Sequence, residues 1–244
     1  MRKFGLIGFP LSHSFSSRYF SKKFSNENIK GCEYVNFPIK SINELPLLLD
    51  SHPDLCGLNV TIPYKEQVLP FLAFQDEVVA KVGACNCISI EKDGLHGFNT
   101  DVIGFESSLQ IKLIERDKKA LILGTGGAAK AVAFVLKKLS IHFKFVSRDE
   151  KKNTLTYDQL SRDTFLQYSI IINTTPIGMY PADLEKPPLN YAGITDQHYL
   201  FDLIYNPLKT KFLEMGEMKG ARIQNGIKML EIQAEESWKV WNGK

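Results

Sequence analysis

Short apolar runs alternate with segments of helical periodicity through the first hundred residues of the chain. The run Phe4–Gly8 predicts a buried strand, and apolar residues at helical spacing predict a helix over Ser16–Phe24. The same pattern predicts a strand over Leu58–Ile62 and a helix over Lys65–Leu72. It continues with a strand over Cys87–Ile90, a tight turn at Asp93-Gly94 and, after Asn99-Thr100-Asp101, a helix that extends to about Glu115.

The second half of the chain repeats this alternation. Ala120–Leu123 predicts a buried strand that breaks at Gly124 and leads into an apolar helix ending near Leu139. The elements predicted after it are strands at Phe143–Val146, Ser169–Asn173 and Tyr199–Leu203, a helix after Thr210, and an amphipathic helix over Gly226–Trp241. The periodicity of Thr154–Gln167 is too weak to predict a helix. Strands that alternate with helices in this way indicate the α/β class with a parallel sheet.

Length and composition narrow the class of protein. A chain of 244 residues favours two domains, and its 44% hydrophobic and 23% charged residues are typical of a globular enzyme. The formal net charge is only +3 and no dense Lys/Arg block occurs, which argues against a nucleic-acid partner. No apolar stretch is long enough for a signal peptide or a membrane span, so we expect a cytoplasmic protein with no membrane partner.

The cysteines argue against a metal site. The chain has four of them, at Cys32, Cys56, Cys85 and Cys87. They form no CxxC pair and have no histidine at zinc-finger spacing. We therefore expect reduced thiols, with neither a metal nor a disulfide framework.

A glycine-rich turn follows the strand Ala120–Leu123 and opens the next helix. Its pattern is Gly124-x-Gly126-x-x-Ala129. In such a turn the glycines let the backbone approach a pyrophosphate, which the helix N-terminal amides bind. A tight turn without a ligand has the same pattern, but the flanking strands and helix favour a dinucleotide site.

The residues after the next strand bear on the choice between NADP and NAD. An NAD enzyme places an acid there for the ribose hydroxyls, whereas this chain has Ser147 and Arg148, which favour a 2′-phosphate. Asp149 would repel that phosphate, while Lys151 and Lys152 restore positive potential. A solvated charged loop is the alternative interpretation.

Two polar segments in the first half carry candidate binding groups. Ser12–Ser16 lies at a strand-to-helix turn, where hydroxyls and amides can hold a carboxylate, although plain N-capping explains it equally well. Asn59–Lys65 places polar side chains at alternate positions of a strand end and then a lysine, which suits binding of hydroxyls beside a proton donor. An ordinary surface lysine is the alternative, and Asn86 and Asp101 have an alternative as turn residues.

These segments belong to a series of motifs that extends along nearly the whole chain. The motifs are Ser14-x-Ser16, Asn59-Val60-Thr61-Ile62-Pro63-Tyr64-Lys65-Glu66, Gly83-Ala84-Cys85-Asn86, Asn99-Thr100-Asp101-x-x-Gly104, Gly124-x-Gly126-Gly127-Ala128, Asn173-Thr174-Thr175-Pro176-x-Gly178-Met179, Asp202-Leu203-x-Tyr205-x-Pro207 and Met229-Leu230-x-x-Gln233-Ala234. Each alone could occur by chance. Together, in this order, they resemble the shikimate dehydrogenase family.

The resemblance implies the reversible, NADPH-dependent reduction of 3-dehydroshikimate to shikimate in aromatic amino-acid (chorismate) biosynthesis. It implies that Lys65 and Asp101 form the catalytic pair, with Lys65 as proton donor. The residues that match the family's substrate ligands are Ser14, Ser16 and Tyr205 for the carboxylate and Thr61, Asn86 and Gln233 for the ring hydroxyls. The residues placed at the cofactor are Gly124, Gly126, Gly127, Ala128, Ser147, Arg148 and Thr174.

The resemblance also implies a domain organisation. We expect a substrate-binding α/β domain over residues 1–102 and a Rossmann NADP-binding domain over residues 103–225. A C-terminal helix over residues 226–244 is expected to pack back on the first domain. The active site is expected in the cleft between the two domains, with small-molecule ligands only, in a monomer or homodimer.

Departures from the family pattern leave alternatives open. Ser147-Arg148-Asp149 replaces the family's Asn-Arg-Thr, so the preference for NADP over NAD stays open, and Lys228 has no predicted role. A quinate/shikimate dehydrogenase that uses NAD is one rival, and a catalytically silent metabolite-binding regulator is another. A related folate dehydrogenase is a third, against which the Ser14-x-Ser16 pair and the Gln233 helix argue.

Overall fold

The structure is a computed structural model that describes residues 1–11, 15–150 and 153–243. The chain forms two compact units. Unit 1 comprises Met1–Ile103 with Glu231–Lys244, and unit 2 comprises Gly104–Leu230.

Unit 1 contains a six-stranded mixed sheet. Its elements are β1 (Arg2–Ile7), α1 (Phe15–Asn26), β2 (Cys32–Phe37), α2 (Leu45–Ser51), β3 (Leu55–Val60), β4 (Phe74–Gln75), α3 (Glu77–Val82), β5 (Cys87–Glu91), β6 (Gly94–Phe98) and the first turn of α4 (Thr100–Gln110). The strand order is β2-β1-β3-β5-β6-β4, with β1 parallel to β2 and β3, and β5 antiparallel to β3 and β6. The antiparallel strand β5 therefore begins, and β6 ends, at the edge where β1 and β3 end.

Unit 2 contains a six-stranded parallel sheet. Its elements, after the rest of α4, are β7 (Lys119–Leu123), α5 (Gly127–Lys138), β8 (His142–Ser147), β9 (Thr154–Thr156), α6 (Arg162–Gln167), β10 (Ile170–Asn173), β11 (Tyr199–Asp202), α7 (Lys211–Glu217), β12 (Arg222–Gln224) and the first turn of α8 (Ile227–Val240). The strand order is β12-β11-β10-β7-β8-β9. Counted from β7, this is the 3-2-1-4-5-6 order of dinucleotide-binding sheets, which bind ligands where the order reverses, here between β7 and β10. The predicted α/β class is confirmed.

An aromatic cluster holds the C-terminal part of α8 against the sheet of unit 1. The ring of Trp241 stacks on Phe4 with centroids 4.8 Å apart, and its indole Nε1 donates to the Ile88 carbonyl at 2.9 Å. The indole lies directly over Gly57, where an added Cβ would be 2.3 Å from Nε1. The strand β3 therefore requires a glycine at this point.

Three predicted elements differ from the structure by three residues or more. The strand predicted at Leu58–Ile62 begins at Leu55 and ends at Val60, and the predicted helix Lys65–Leu72 is instead a series of turns with a short 3₁₀ helix at Leu69–Phe71. Pro70 lies in the middle of that segment, where it lacks an N–H and its ring would clash with the carbonyl one turn earlier. The helix predicted to extend to about Glu115 ends at Gln110. The segment with weak periodicity contains β9 and the short helix α6.

The four cysteines are unpaired in the structure, and Cys85 and Cys87 are buried. No helix within the described ranges is long and apolar enough to cross a membrane. Among the same residues, no group of three or more His, Cys, Asp or Glu side chains could hold a metal ion.

Candidate active site

Lys65 and Asp101 form an ion pair at the edge of the unit 1 sheet where β3 ends. Lys65 Nζ donates to Asp101 Oδ2 at 2.7 Å, and the two side chains are only 19% and 10% exposed. Lys65 lies in the turn after β3, where its carbonyl accepts from the Cys85 amide at 2.8 Å, and Asp101 lies in the first turn of α4. An ammonium has three N–H donors, so Asp101 can orient Lys65 and leave donors for a substrate oxygen.

Asparagine side chains fix the first turn of α4. Asn86 Oδ1 accepts from the Thr100 amide at 2.7 Å, and Asn86 Nδ2 donates to Thr100 Oγ1 at 3.0 Å. Asn99 Oδ1 accepts from the Val102 amide at 3.3 Å, as an N-cap residue does. These bonds set the direction of the helix that carries Asp101, and Asn86 Nδ2 retains a second hydrogen for a ligand.

Three other predicted substrate ligands, Thr61, Ser16 and Gln233, lie in different parts of unit 1. Thr61 follows β3 directly and donates its amide to the Ile7 carbonyl at 2.9 Å, so it lies at the same edge as Lys65. Ser16 is buried in the first turn of α1, where its side chain bonds to Tyr34: burial raises the pKa of Tyr34 well above its usual value, and this bond opposes the rise. Gln233 is buried on α8.

Less can be said of Ser14 and Tyr205, which are predicted to bind the substrate carboxylate. Ser14, with Ser12 and His13, lies outside the described residues. Tyr205 follows β11 in unit 2. Within unit 1 the structure thus brings together Thr61, Lys65, Asn86 and Asp101 at one edge of the sheet.

The turn between β7 and α5 fits a dinucleotide phosphate. Gly124 has φ of 107°, and a Cβ there would lie 2.8 Å from Thr174 Oγ1, so only glycine suits the position. Gly126 is the N-cap of α5 and no side chain caps the helix. A Cβ on Gly126 would face open space, whereas Gly127 and Ala128 form the first turn. The backbone amides of this helix N-terminus therefore face a space that an anion can enter.

The loop after β8 carries the predicted 2′-phosphate ligands. Ser147 is buried at the end of β8, while Arg148 and Asp149 are exposed. Burial raises the pKa of Tyr157, and the positive charge of Arg148 opposes that rise. Lys151 and Lys152 lie outside the described residues. An exposed arginine directly after β8 is compatible with binding of the 2′-phosphate on the adenosine ribose of NADP.

Asp202 is a buried carboxylate to which the sequence analysis assigned no role. Its buried carboxylate accepts from Thr210 Oγ1 at 2.6 Å, the Ile204 amide at 3.0 Å and Asn173 Nδ2 at 3.1 Å. Burial raises the pKa of Asp202 to about 7, and the three donors oppose that rise. The carboxylate ties the end of β11 to the end of β10, and therefore the loop of Tyr205 to the loop of Thr174. In the sequence, Asp202 is the first residue of the motif Asp202-Leu203-x-Tyr205-x-Pro207, in which only Tyr205 was assigned a role.

Lys228, for which no role was predicted, is an exposed residue in the first turn of α8.

Similarity to known proteins covers the whole chain. The family profile described as "Shikimate dehydrogenase substrate binding domain" matches residues 6–88. A shikimate dehydrogenase (NADP(+)) from Clostridium beijerinckii is 37% identical over 254 residues, which cover 99% of this chain and 92% of the relative. The enzyme of the same name from Caldicellulosiruptor saccharolyticus is 36% identical over 261 residues, with 99% and 92% covered. The crystal structure of shikimate 5-dehydrogenase from Thermus thermophilus in complex with NADP(H) and shikimate has a TM-score of 0.88 at 27% identity and covers 100% of this chain and 94% of that one.

Proposed function

The chain belongs to the shikimate dehydrogenase family, and on that premise we propose that it catalyses the reversible, NADPH-dependent reduction of 3-dehydroshikimate to shikimate. The observation that carries this proposal is the Lys65–Asp101 pair, enclosed with Asn86 and Thr61 at one sheet edge of unit 1. A ketone reduction needs a positioned proton donor, and this pair supplies one.

Proton transfer is the chemical task of the protein side chains. The bound nicotinamide supplies the hydride to the ketone carbon. Lys65 Nζ gives a proton to the ketone oxygen as that oxygen becomes an alkoxide, so one hydride and one proton convert the ketone to an alcohol. Asp101 holds the ammonium in place through the 2.7 Å bond and accepts a hydrogen bond from a ring hydroxyl. In the reverse reaction Lys65 takes the proton back.

Polar side chains from several parts of the chain orient the substrate in this proposal. Asn86 and Thr61 bind ring hydroxyls from the sheet edge, and Gln233 does so from α8. Ser16, with Ser14 and Tyr205, binds the carboxylate. Hydrogen bonds to a charged acceptor are stronger than neutral ones, which suits these hydroxyls to anchoring that end of the ring.

The cofactor is NADP, held by unit 2. The backbone amides at the start of α5 bind the pyrophosphate. Gly124 and Gly126 form the turn through which the pyrophosphate approaches, and Gly127 and Ala128 are the first residues of the helix. Arg148, next to Ser147, binds the 2′-phosphate, and Thr174 lines the crevice between β7 and β10.

The decisive experiment is a substrate and cofactor matrix. The purified protein is assayed with 3-dehydroshikimate and NADPH, and in reverse with shikimate or quinate and either NADP⁺ or NAD⁺. We expect the highest kcat/KM with shikimate and NADP⁺. A higher value with quinate and NAD⁺ would identify the rival dehydrogenase. Tight shikimate binding without turnover in any combination would identify the silent regulator.

A further inference from the structure

Ser237 lies at the centre of a buried chain of hydrogen bonds in unit 1. It is fully buried on α8, and its Oγ accepts from Asn59 Nδ2 at 2.9 Å. The same Oγ donates to the Gln233 carbonyl at 2.9 Å and lies 3.2 Å from Thr100 Oγ1. One hydroxyl therefore contacts the strand β3, the first turn of α4 and the preceding turn of its own helix.

In this buried series of hydrogen bonds, each hydrogen can be assigned to one acceptor without conflict. Asn86 Nδ2 donates to Thr100 Oγ1, so the Thr100 hydroxyl can direct its own hydrogen to Ser237 Oγ. Ser237 then uses its single hydrogen for the Gln233 carbonyl. Asn59 uses one amide hydrogen for Ser237 and the other for the Asn86 carbonyl at 3.2 Å. Both hydroxyl hydrogens and both Asn59 amide hydrogens thus have a defined acceptor.

This series of hydrogen bonds connects two residues of the proposed site, Asn86 and Gln233. On one side, Thr100 is bonded at both its amide and its hydroxyl to Asn86 and directly precedes Asp101. On the other side, the carbonyl that Ser237 holds belongs to Gln233, on α8. A change at Ser237 therefore reaches residues that the proposed function places around the ring hydroxyls.

Removal of this hydroxyl would leave buried donors without their acceptor. One hydrogen of the Asn59 amide and the hydrogen of the Thr100 hydroxyl would both lose Ser237 Oγ as their acceptor. Buried donors without a partner are costly, so the surrounding groups would shift to regain one. The donors concerned lie on β3 and on the first turn of α4, so such a shift would also alter the bonds between Thr100 and Asn86.

We propose that Ser237 is a positioning residue, which holds Gln233, Asn86 and the Asp101 turn in the single arrangement that fits the substrate hydroxyls. This inference rests on the proposed function. It concerns a residue outside every motif that carried the resemblance to the family.

The first test compares two buried serines. In Ser237→Ala we expect kcat/KM for shikimate to fall by roughly tenfold or more, through both a higher KM and a lower kcat, with the KM for NADP⁺ unchanged. Ser108→Ala is the matched control, because Ser108 is also a fully buried helical serine but its Oγ has no hydrogen-bond partner. Kinetics of Ser237→Ala equal to those of the control would overturn the proposal.

The second test asks whether Ser237 acts through Thr100. Thr100→Val removes that hydroxyl at nearly constant shape, and we expect its kinetic effect to resemble that of Ser237→Ala. The double variant should be little worse than the more impaired single variant, because residues that act as one unit are strongly non-additive. Additive losses in the double variant would show that Ser237 affects activity by another route.

The third test does not depend on activity. The Thr100 amide bonds to Asn86 Oδ1, so its hydrogen exchange reports the order of this turn. We expect roughly tenfold faster exchange at Thr100 in Ser237→Ala than in Ser108→Ala, the effect of about one ordinary hydrogen bond. Unchanged exchange would overturn the positioning role even if the wild-type protein proved inactive on shikimate, which would refute only the proposed function.

Discussion

At the scale of single residues, the proposed chemistry depends on one ion pair. Lys65 and Asp101 are 36 positions apart, yet their side chains meet at 2.7 Å because β3 and α4 present them at one sheet edge. Both are largely shielded from water, so the direction of the ammonium is set by the carboxylate. This geometry predicts how substitutions of Lys65 and Asp101 change the kinetics.

Lys65→Ala should lower kcat by about 10²–10⁴-fold, the usual contribution of a general acid, while shikimate still binds. Lys65→Arg should not restore the rate, because a guanidinium does not release its proton. Asp101→Asn should also slow turnover, and the double variant should be little worse than Lys65→Ala. Steady-state kinetics and calorimetric binding of shikimate check these expectations.

The control for this series is Lys81→Ala, since Lys81 pairs with Glu77 on the exposed surface of α3. Its kinetics should equal those of the wild type. Near-normal turnover of Lys65→Ala at saturating substrate and cofactor would contradict the assignment of Lys65 as proton donor.

Cofactor choice is a second question at this scale. Arg148→Ala should weaken NADP binding more than NAD binding, because only NADP has the 2′-phosphate. Asp149→Thr should strengthen NADP binding, because it removes a negative charge beside that phosphate. Dissociation constants for both cofactors check this, with NAD as the internal control. Equal losses for the two cofactors in Arg148→Ala would place the arginine away from the 2′-phosphate.

At the scale of elements, the packing of α8 on β3 supports the position of Gln233. The side chains of both tryptophans of the chain, Trp238 and Trp241, belong to the aromatic cluster around Phe4. Intrinsic tryptophan fluorescence therefore reports this packing directly.

Gly57→Ala should displace Trp241, since the added Cβ would fall 2.3 Å from the indole nitrogen. We expect a loss of about 1–3 kcal/mol in the free energy of unfolding, the usual cost of overpacking, together with altered tryptophan fluorescence. Urea unfolding followed by fluorescence measures both.

Gly97→Ala is the comparison for this variant, because the closest contact of its Cβ would be the flexible end of Leu72, which can move. The loss of stability should be smaller and the fluorescence unchanged. Equal losses in the two variants would show that the contact with the indole is not the cause.

At the scale of the whole molecule, stability should depend on pH through two buried carboxylates of unit 2, of which Asp117 acts in the acidic range. Arg222 donates to the two oxygens of Asp117 at 2.7 Å and 2.9 Å. Burial acts to raise the pKa of Asp117, but bonds from Arg222, the Ile114 amide and Ser169 outweigh it and lower the pKa below its usual value. The unfolded chain then binds the proton more readily than the folded one. The contribution of the pair is present above the ordinary aspartate pKa of about 3.9 and is lost as the pH falls through the lower, folded value.

Asp117→Asn should therefore cost about 1.5–3 kcal/mol at neutral pH, because it removes the anionic partner of the Arg222 guanidinium, which is partly exposed and also donates to the Lys112 carbonyl. The difference from the wild type should shrink as the pH falls below about 4. Urea unfolding followed by circular dichroism over a pH series measures this, since both tryptophans lie in unit 1. A difference that stays constant with pH would contradict the lowered pKa.

Two comparisons isolate this effect. Glu217→Gln removes an exposed ion pair with Lys209 and should cost less than about 1 kcal/mol. Asp202 contributes with the opposite sign: its pKa is raised to about 7, so its contribution is present below the ordinary aspartate pKa and lost as the pH rises through 7. The two carboxylates therefore act in different pH ranges.

The sequence by itself determined the fold class and four of the six strands in the parallel sheet of unit 2, namely β7, β8, β10 and β11. Strands buried on both faces are continuous apolar runs, so β7, β10 and β11 could be located to within about a residue. The segment of β2 has no such run, since Cys32–Phe37 mixes polar and apolar residues, and pairing with β1 decides its structure. The motifs also identified Lys65 and Asp101 before any geometry was known, and the roles of these and the other site residues stay predictions.

Only the tertiary structure decided how those residues are held. The turn that carries Lys65 was predicted as a helix because the apolar spacing outweighed Pro70 in the pattern. Ser237 and Asn59 are 178 positions apart and belong to a hydrogen-bonded chain that also contains Thr100. A hydrogen bond between residues so distant leaves no periodicity or local motif in the sequence, because its partners meet only after the sheet and α8 have packed.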